Sequence, residues 1–294
     1  KAAQAGQVWF PDSAYKTAQA IQDFNKGEGL PLLLLANWRG FSGGRKDMFE
    51  EVLKFGSFIV DQLTQFTQPI IVYIPPHCEI RGGAWVVIDS TINPYYMEMY
   101  AAENSRGGVL EPAGIAEIKF RKPELVKAMH RMDKQLQWMS MNEANNVVRP
   151  EDVAARETEL LPYFAPLGEI FSDLHDRPER MLAKGVIRDV VPWKRAREYF
   201  ALRVRRRLAQ DALIKELKAA DDTLSHGACL NLLQTWCGAS WEDDQAVLDA
   251  FESKAADIAA GIAGVRTTKV KQTVADLFAA LSDDDKAALR SSLD

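Results

Sequence analysis

Cysteine is scarce in this chain. There are three, Cys78, Cys229 and Cys237, an odd number in a chain of 294 residues, which excludes a disulfide framework and fits a reducing compartment. Long apolar runs are missing too. The longest, Leu30 to Ala36 and Pro69 to Pro76, fall far short of the roughly 20 residues needed to cross a bilayer, so no membrane partner is expected and both read as buried strands. A basic excess is absent: the formal net charge is −5, without the footprint of a protein whose main partner is nucleic acid. No initiator Met or signal-type apolar block precedes Val8, so the chain is expected to be an internal piece of a longer polypeptide.

Histidine is equally sparse, with four residues scattered along the chain. In His77-Cys78 the neighbours lie on a loop and no third group orients them, which argues against a thiol nucleophile. His226-x-x-Cys229 followed by Cys237 offers three ligands without a fourth of clear spacing, so no metal site is expected. His175-Asp176 reads as a helix end before Pro178.

What is present is the balance of a packed globular protein, 47% hydrophobic and 26% charged, large enough for one extended domain or two. The first third repeats itself. The run Pro31 to Ala36 is followed by Gly43-Gly44 and a helical pattern at Met48, Val52, Phe55, Ile59, Leu63 and Phe66. The run Pro69 to Ile74 is followed by Gly82-Gly83 and by Trp85 to Ile88, which reads as another strand. The spacing leaves room for crossover helices, so an α/β fold class follows. From Pro123 onward the pattern is helical over Glu124 to Leu136, Pro150 to Leu161 and Phe164 to Leu174. A short strand over Lys184 to Val191 returns to the sheet, and Pro192 opens a helix over Trp193 to Ile214. The expected division is 1–218 for the α/β domain, with a helical insertion at about 134–175, and 219–294 for a helical extension. In that extension the clusters Asp221-Asp222, Glu242 to Asp244 and Asp283 to Asp285 mark helix starts.

Glycine pairs after strands let backbone N–H groups approach an anionic oxygen, through positive φ and the N-terminus of the next helix; a tight turn is the plainer alternative. Arg39 and Arg81 precede the two pairs and offer planar forks to a carboxylate or phosphate, although either can be a surface residue. Trp9, Trp38, Phe41 and Trp85 wall a pocket or fill the core. Arg203 to Arg207 is a basic stretch read as a solvated face or a partner of the acidic tail.

The stretches Val8-Trp-Phe-Pro-Asp-Ser13, Ala36-Asn-Trp-Arg-Gly-Phe-Ser-Gly-Gly44, Glu79-Ile-Arg-Gly-Gly-Ala-Trp-Val-Val-Ile-Asp-Ser90 and Val109-Leu-Glu-Pro112 resemble the carboxyltransferase of eukaryotic multidomain acetyl-CoA carboxylase. The likeness covers its C-terminal subdomain and continues through Phe171 to Asp176 and Lys184 to Ile187 to the arginine-rich helix; 140–150 and 219–294 are less similar. The resemblance implies a crotonase-like superhelix of ββα units and an active site at a homodimer interface, shared with an amino-terminal carboxyltransferase subdomain absent from this chain. It implies transfer of a carboxyl group from carboxybiotin, brought by a biotin carboxyl carrier domain, to acetyl-CoA, giving malonyl-CoA for fatty acid synthesis. ATP and a divalent metal belong to a separate biotin carboxylase part, and the parent enzyme is cytoplasmic or, alternatively, plastidic.

Carried over by motif, the resemblance implies that Gly83 and Ala84 supply the amide pair that stabilises the biotin ureido oxygen. Gly43, Gly44 and Gly82 line the same side, and Arg39 holds the carboxyl group during transfer. Trp9, Phe41, Gly83, Val86 and Val109 wall the substrate and inhibitor pocket that makes the family a herbicide target. Most coenzyme A contacts belong to the missing subdomain, so this segment alone is expected to be inactive.

Two other readings of the same residues remain. A non-catalytic crotonase-like dimerisation or scaffold module has the same periodicity but no need for Arg39 beside both glycine pairs. A serine hydrolase is suggested by Gly40-Phe-Ser42-Gly-Gly44, which satisfies Gly-x-Ser-x-Gly between a strand and a helix; no acid and His stand out as its triad partners.

Overall fold

The computed structural model describes residues 6–143, 145–282 and 284–286, and the chain forms two compact units, Lys1–Ala196 and Arg197–Asp294. The first opens with strand β1 (Val8–Trp9), helix α1 (Pro11–Gln22) and a π-helical turn (Asp23–Glu28). Then follow β2 (Leu32–Leu35), β3 (Gly40–Phe41), α2 (Arg45–Phe49), α3 (Val52–Thr64), β4 (Ile70–Ile74), β5 (Glu79–Arg81), α4 (Gly82–Ile88), β6 (Met97–Ala101) and β7 (Arg106–Gly108).

The sheets stack this repeat in two layers. Strands β2, β4 and β6 lie side by side and parallel, with Leu32 opposite Ile70 and Ile70 opposite Met97. The short strands form the second layer: β1 pairs with β3, β5 with β7, and a parallel bridge between Trp38 and Ile80 joins the two pairs. Each unit is thus a sheet strand, a short strand and a helix, the ββα arrangement of a crotonase-like fold. The central strand β4 is buried at every position, Ile70 to Ile74, as continuous apolar runs in parallel sheets are. Ile59 and Leu63 of α3, at 0% exposure, share one core cluster with Ile70, Val72 and Ile74, each such side chain contributing about 1.5–3 kcal/mol.

Two local expectations are corrected. Trp85 to Ile88 belongs to α4 rather than to a strand: Ala84, Val87 and Ile88 are buried and Val86 is exposed, a three-and-four spacing that follows the helix period. The helix expected from Met48 to Phe66 is broken into α2 and α3, because Glu51 takes a left-handed conformation with φ +63°.

After β7 come α5 (Pro112–Lys119), α6 (Lys122–Met132), α7 (Lys134–Glu143) and α8 (Pro150–His175). α6, α7 and α8 share their own cluster of Leu125, Met129, Leu136, Met139, Val153 and Leu160, and Phe120 at the end of α5 packs against it. The helical insertion therefore begins at Pro112, not near residue 134, because Pro112 and Pro123 each occupy the first turn of a helix, where a missing N–H costs nothing. The two helices expected at 150–174 are one, running through Pro162 and Pro166. Both prolines face outward, where water satisfies the carbonyls they free. Then α9 (Pro178–Ala183) and β8 (Asp189–Val190) return the chain to β6, as expected for Lys184 to Val191.

The helix α10 (Trp193–Ala220) leads into α11 (His226–Cys237), α12 (Asp244–Ser253) and α13 (Ala255–Ala280). The second unit starts at Arg197 rather than at residue 219, since Ile214 and Leu217 of α10 share a core with Cys229, Leu233, Val247 and Ile258. The basic stretch is not a solvated face. Arg203 and Arg206 are each 2% exposed; Arg203 donates to Asp244 at 2.6 Å and Arg206 lies over the Trp241 ring at 4.7 Å. Ser225 caps α11 and Asp243 caps α12. Asp221 and Asp222 instead pair with Lys269, and Asp283 lies outside the described residues. Burial pushes the Cys229 and Cys237 thiols up, the state of structural cysteines. Among the described residues no helix is long and apolar enough to cross a membrane.

Candidate functional site

The second sheet layer carries the site. β3 follows directly on Arg39 and β5 runs directly into α4, so the Trp38–Ile80 bridge sets the first glycine-bearing turn beside the second. Arg39 projects its guanidinium between two carboxylates: Nε donates to Glu79 at 2.6 Å and Nη1 lies 3.1 Å from Glu111, with the side chain 47% exposed. Asn37 fixes the turn, accepting from Gln7 at 2.8 Å and from the Glu79 amide at 3.1 Å.

Of the two glycine pairs only Gly82 takes positive φ, and Gly40, outside both pairs, takes it too. Gly40 has φ +128° and Gly82 φ +53°, whereas Gly43, Gly44 and Gly83 do not leave the ordinary region. Gly82 is forced by crowding, since a methyl there would lie 3.0 Å from the Arg39 carbonyl oxygen. A methyl on Gly40 would lie 3.3 Å from the Gly83 nitrogen and 3.8 Å from the Ala84 nitrogen. The absent side chain of Gly40 thus leaves a cradle in front of the two amides that open α4, whose first-turn N–H groups have no helical acceptor. A small oxygen acceptor suits such a cradle, with the positive end of the backbone dipoles behind the amides.

Phe41 shields this turn. Its ring lies against two positions that carry no side chain, so that a methyl on Gly56 would fall 2.6 Å from it and one on Gly83 2.9 Å. Behind it, Trp9 is 3% exposed, stacked on Trp38 with ring centroids 4.7 Å apart and 5.3 Å from Phe41. Trp9 is therefore buried behind Phe41 within this chain. Val86 and Val109 are 66% and 64% exposed, an open apolar rim. A methyl on Gly43 would meet nothing within 4 Å, and the atoms nearest one on Gly44 belong to Asp47 and Ser42 rather than to the Gly83 turn.

Arg81 is no ligand clamp. Its side chain is 4% exposed and donates to Glu79 at 2.9 Å, to the Leu110 carbonyl at 3.0 Å and to Asp176 at 2.5 Å. Burial pushes the Glu79 carboxyl up, but hydrogen bonds from Arg81 and Arg39 outweigh it and hold the group below the ordinary glutamate value. Burial leaves Asp176 above its ordinary value despite the pull of Arg81. The hydrolase reading has no support in the geometry: Ser42 donates to Asp47 and accepts from the Gly44 amide, and no histidine contacts it among the described residues. Burial likewise pushes the Cys78 thiol up, away from a nucleophilic thiolate.

Sequence reasoning missed Gly40, Gly56, Glu79, Glu111 and Asp176. Glu79 and Arg81 were readable as a pair, because positions two apart on a strand share a face. Gly56 and Asp176 become visible only when α3 and the end of α8 pack against the turns.

The family model described as carboxyl transferase domain matches residues 1–208. An acetyl-CoA carboxylase of Dictyostelium discoideum is 55% identical over 244 residues, covering 79% of this chain and 11% of its own length. An acetyl-CoA carboxylase of Saccharomyces cerevisiae is 44% identical over 314 aligned positions, covering 99% of this chain and 14% of its own length. The chain thus spans only 11% to 14% of these relatives. Among solved structures, a transcarboxylase 12S with methylmalonyl-coenzyme A bound superposes with a TM-score of 0.46 at 16% identity, over 66% of this chain and 31% of its own. The β subunit of geranyl-CoA carboxylase from P. aeruginosa gives a TM-score of 0.46 at 18% identity, over 65% of this chain and 31% of its own. On the match across 1–208 and these identities to full-length carboxylases, this chain belongs to the carboxyl transferase domain family.

Proposed function

We propose that this chain is the C-terminal half of the carboxyltransferase of an acetyl-CoA carboxylase, transferring a carboxyl group from carboxybiotin to acetyl-CoA to give malonyl-CoA for fatty acid synthesis. The observation that carries the reading is the cradle at Gly40, open to the Gly83 and Ala84 amides and next in sequence to a half-exposed arginine already held by carboxylates. The cradle fits a biotin ureido oxygen, a small acceptor in which negative charge develops. Carboxybiotin, delivered on a carrier domain, supplies the activated carboxyl group and the base.

The roles of the chain's own residues follow from their chemistry. The Gly83 and Ala84 amides donate to the oxygen in the cradle and stabilise its charge without reorganising, worth about 2.7–4 kcal/mol per donor. Arg39 presents its guanidinium to the carboxyl group and orients it. Gly82 lets the turn close, Phe41 excludes water from one side, and Val86 and Val109 present apolar surface to acyl chain or inhibitor. Gly43 and Gly44 are proposed to line the biotin side at longer range. No residue of this chain is assigned to the thioester enolate or to most of coenzyme A; those contacts fall to the amino-terminal subdomain of a second protomer, which makes the working unit a homodimer. ATP and a divalent metal act only in the separate biotin carboxylase part. The location proposed is cytoplasmic.

The test is Arg39→Ala in the full-length enzyme. Carboxyl transfer is expected to fall by about a hundredfold, the scale of a charge-assisted contact made in the transition state, with ATP-dependent biotin carboxylation intact. Unchanged transfer by folded variant refutes the assignment.

A further inference from the structure

Glu79 stands between two arginines of opposite character. Its Oε1 accepts from Arg39 at 2.6 Å and its Oε2 from Arg81 at 2.9 Å. The Arg39 side chain is 47% exposed and that of Arg81 4%. Arg81 is fixed in turn at Nη1 by the Leu110 carbonyl and the Asp176 carboxylate. These last two partners are the roots of the helical insertion, Leu110 just before α5 and Asp176 just after α8. The roots are stitched to the second sheet layer by backbone bonds as well: the Gly82 amide donates to Val109 and the Gly107 amide to Asp176, both at 2.9 Å.

Arg39 has one other carboxylate, Glu111, but its side chain is 49% exposed, and a pair so open to solvent is screened and weakly ordering. A guanidinium on a flexible stem recognises a carboxylate through a directed fork only when that stem is held. The anchored side of the hold is Glu79, itself 16% exposed and tied at its second oxygen to a buried cation. With Glu79 on Nε and Glu111 on Nη1, the Nη2 group of Arg39 keeps no protein partner among the described residues.

We propose, resting on the carboxyl-transfer reading above, that Glu79 is the positioning residue for Arg39 and the last link of a chain from Asp176 through Arg81 that ties the guanidinium to the roots of the helical insertion. Glu79 touches no substrate in this role. Its effect appears only where Arg39 meets a carboxylate, which malonyl-CoA carries and acetyl-CoA lacks. Loosening Arg39 therefore lowers forward kcat and the reverse kcat/KM for malonyl-CoA, and spares the KM for acetyl-CoA. A general structural defect makes no such distinction.

The experiment uses the full-length enzyme carrying Glu79→Gln, Arg39→Ala or both, with biotin carboxylation and thermal unfolding as fold controls. Glu79→Gln is expected to lower kcat/KM for malonyl-CoA decarboxylation by about ten- to hundredfold, the range for a hydrogen bond to a charged group, with the acetyl-CoA KM within about threefold of wild type on the same chemistry. Added to Arg39→Ala, it costs less than about twofold more, because contacting residues are non-additive. If Glu79→Gln does not fold, Glu79→Asp, which keeps a charge beside Arg81 but withdraws it by one methylene, is expected to give the same pattern. Multiplicative losses in the double variant, a matching rise in acetyl-CoA KM, or wild-type kinetics for Glu79→Gln beside an impaired Arg39→Ala overturn the inference. Full activity of Arg39→Ala overturns the underlying reading instead, and the inference with it.

Discussion

Replacing Gly40 by alanine adds one methyl group, and the structure says where it goes. It lies 3.3 Å from the Gly83 nitrogen, 3.8 Å from the Ala84 nitrogen and 3.9 Å from the Arg81 carbonyl oxygen, in the space through which an oxygen reaches the amide pair. Two costs follow. The backbone at φ +128° is a region that side-chain-bearing residues avoid at about 1–3 kcal/mol, which lowers the melting temperature. The larger cost falls on catalysis: obstructing one oxyanion donor is worth about 2.7–4 kcal/mol, a hundred- to thousandfold in rate. The assay is carboxyl transfer to acetyl-CoA by the full-length Gly40→Ala enzyme, with ATP-dependent biotin carboxylation as internal control. Transfer is expected to collapse while the control survives. Native transfer by folded Gly40→Ala enzyme refutes the cradle, since no small acceptor then uses that space.

Gly83→Val is expected to drive the Phe41 ring, which a first added carbon already meets at 2.9 Å, out of its slot; overpacking of this kind costs about 1–3 kcal/mol, and wild-type transfer rates would remove Gly83 from the site. Asp244→Asn takes a carboxylate from buried Arg203 and should lower stability to heat by about 1.5–3 kcal/mol, while transfer per folded molecule stays within about tenfold, or roughly 1.4 kcal/mol; a large rate loss in folded protein would give the second unit a catalytic role. The folded-state pKa of Glu79 is depressed, so its contribution is fully present above the unfolded value of about 4.3 and is lost as pH falls through the lower folded value. Thermal melts of Glu79→Gln and wild type should therefore converge below that range, and a constant gap down to the acid limit would mean the carboxylate charge is not what stabilises.

The parallel core was legible because period and length agree: Leu32–Leu35 and Ile70–Ile74 fall inside the apolar runs that announce them. Trp85 to Ile88 misled because β-branched residues in a short run look alike in strand and helix; only the packing of Ala84 and Ile88, both at most 1% exposed, resolves the helix. The strands β6 and β7 went unread, since Met97 to Ala101 and Arg106 to Gly108 lack a β-branched signature and are strands by virtue of their neighbours. At the proposed site, Arg39 was singled out by its place between a strand and a glycine pair and the Gly83–Ala84 turn by motif resemblance. The arginine-to-carboxylate wiring was not, because Asp176 reaches Arg81 across 95 residues of sequence. The tail illustrates the same limit. A break near residue 219 looks natural by composition, yet it would strip Ile214 and Leu217 of α10 of the residues that cover them.

The central claim is that this chain holds one half of a carboxyltransferase site. It is tested most directly by biotin-dependent decarboxylation of malonyl-CoA, measured for the 294-residue chain alone and then titrated with the amino-terminal subdomain of the same enzyme. The amide cradle and Arg39 without an enolate partner predict no measurable rate for the chain alone and a saturable rate once the second subdomain is added. A biotin-dependent rate from the chain by itself, or a complex of the two subdomains that binds malonyl-CoA and biotin yet never decarboxylates, would contradict it.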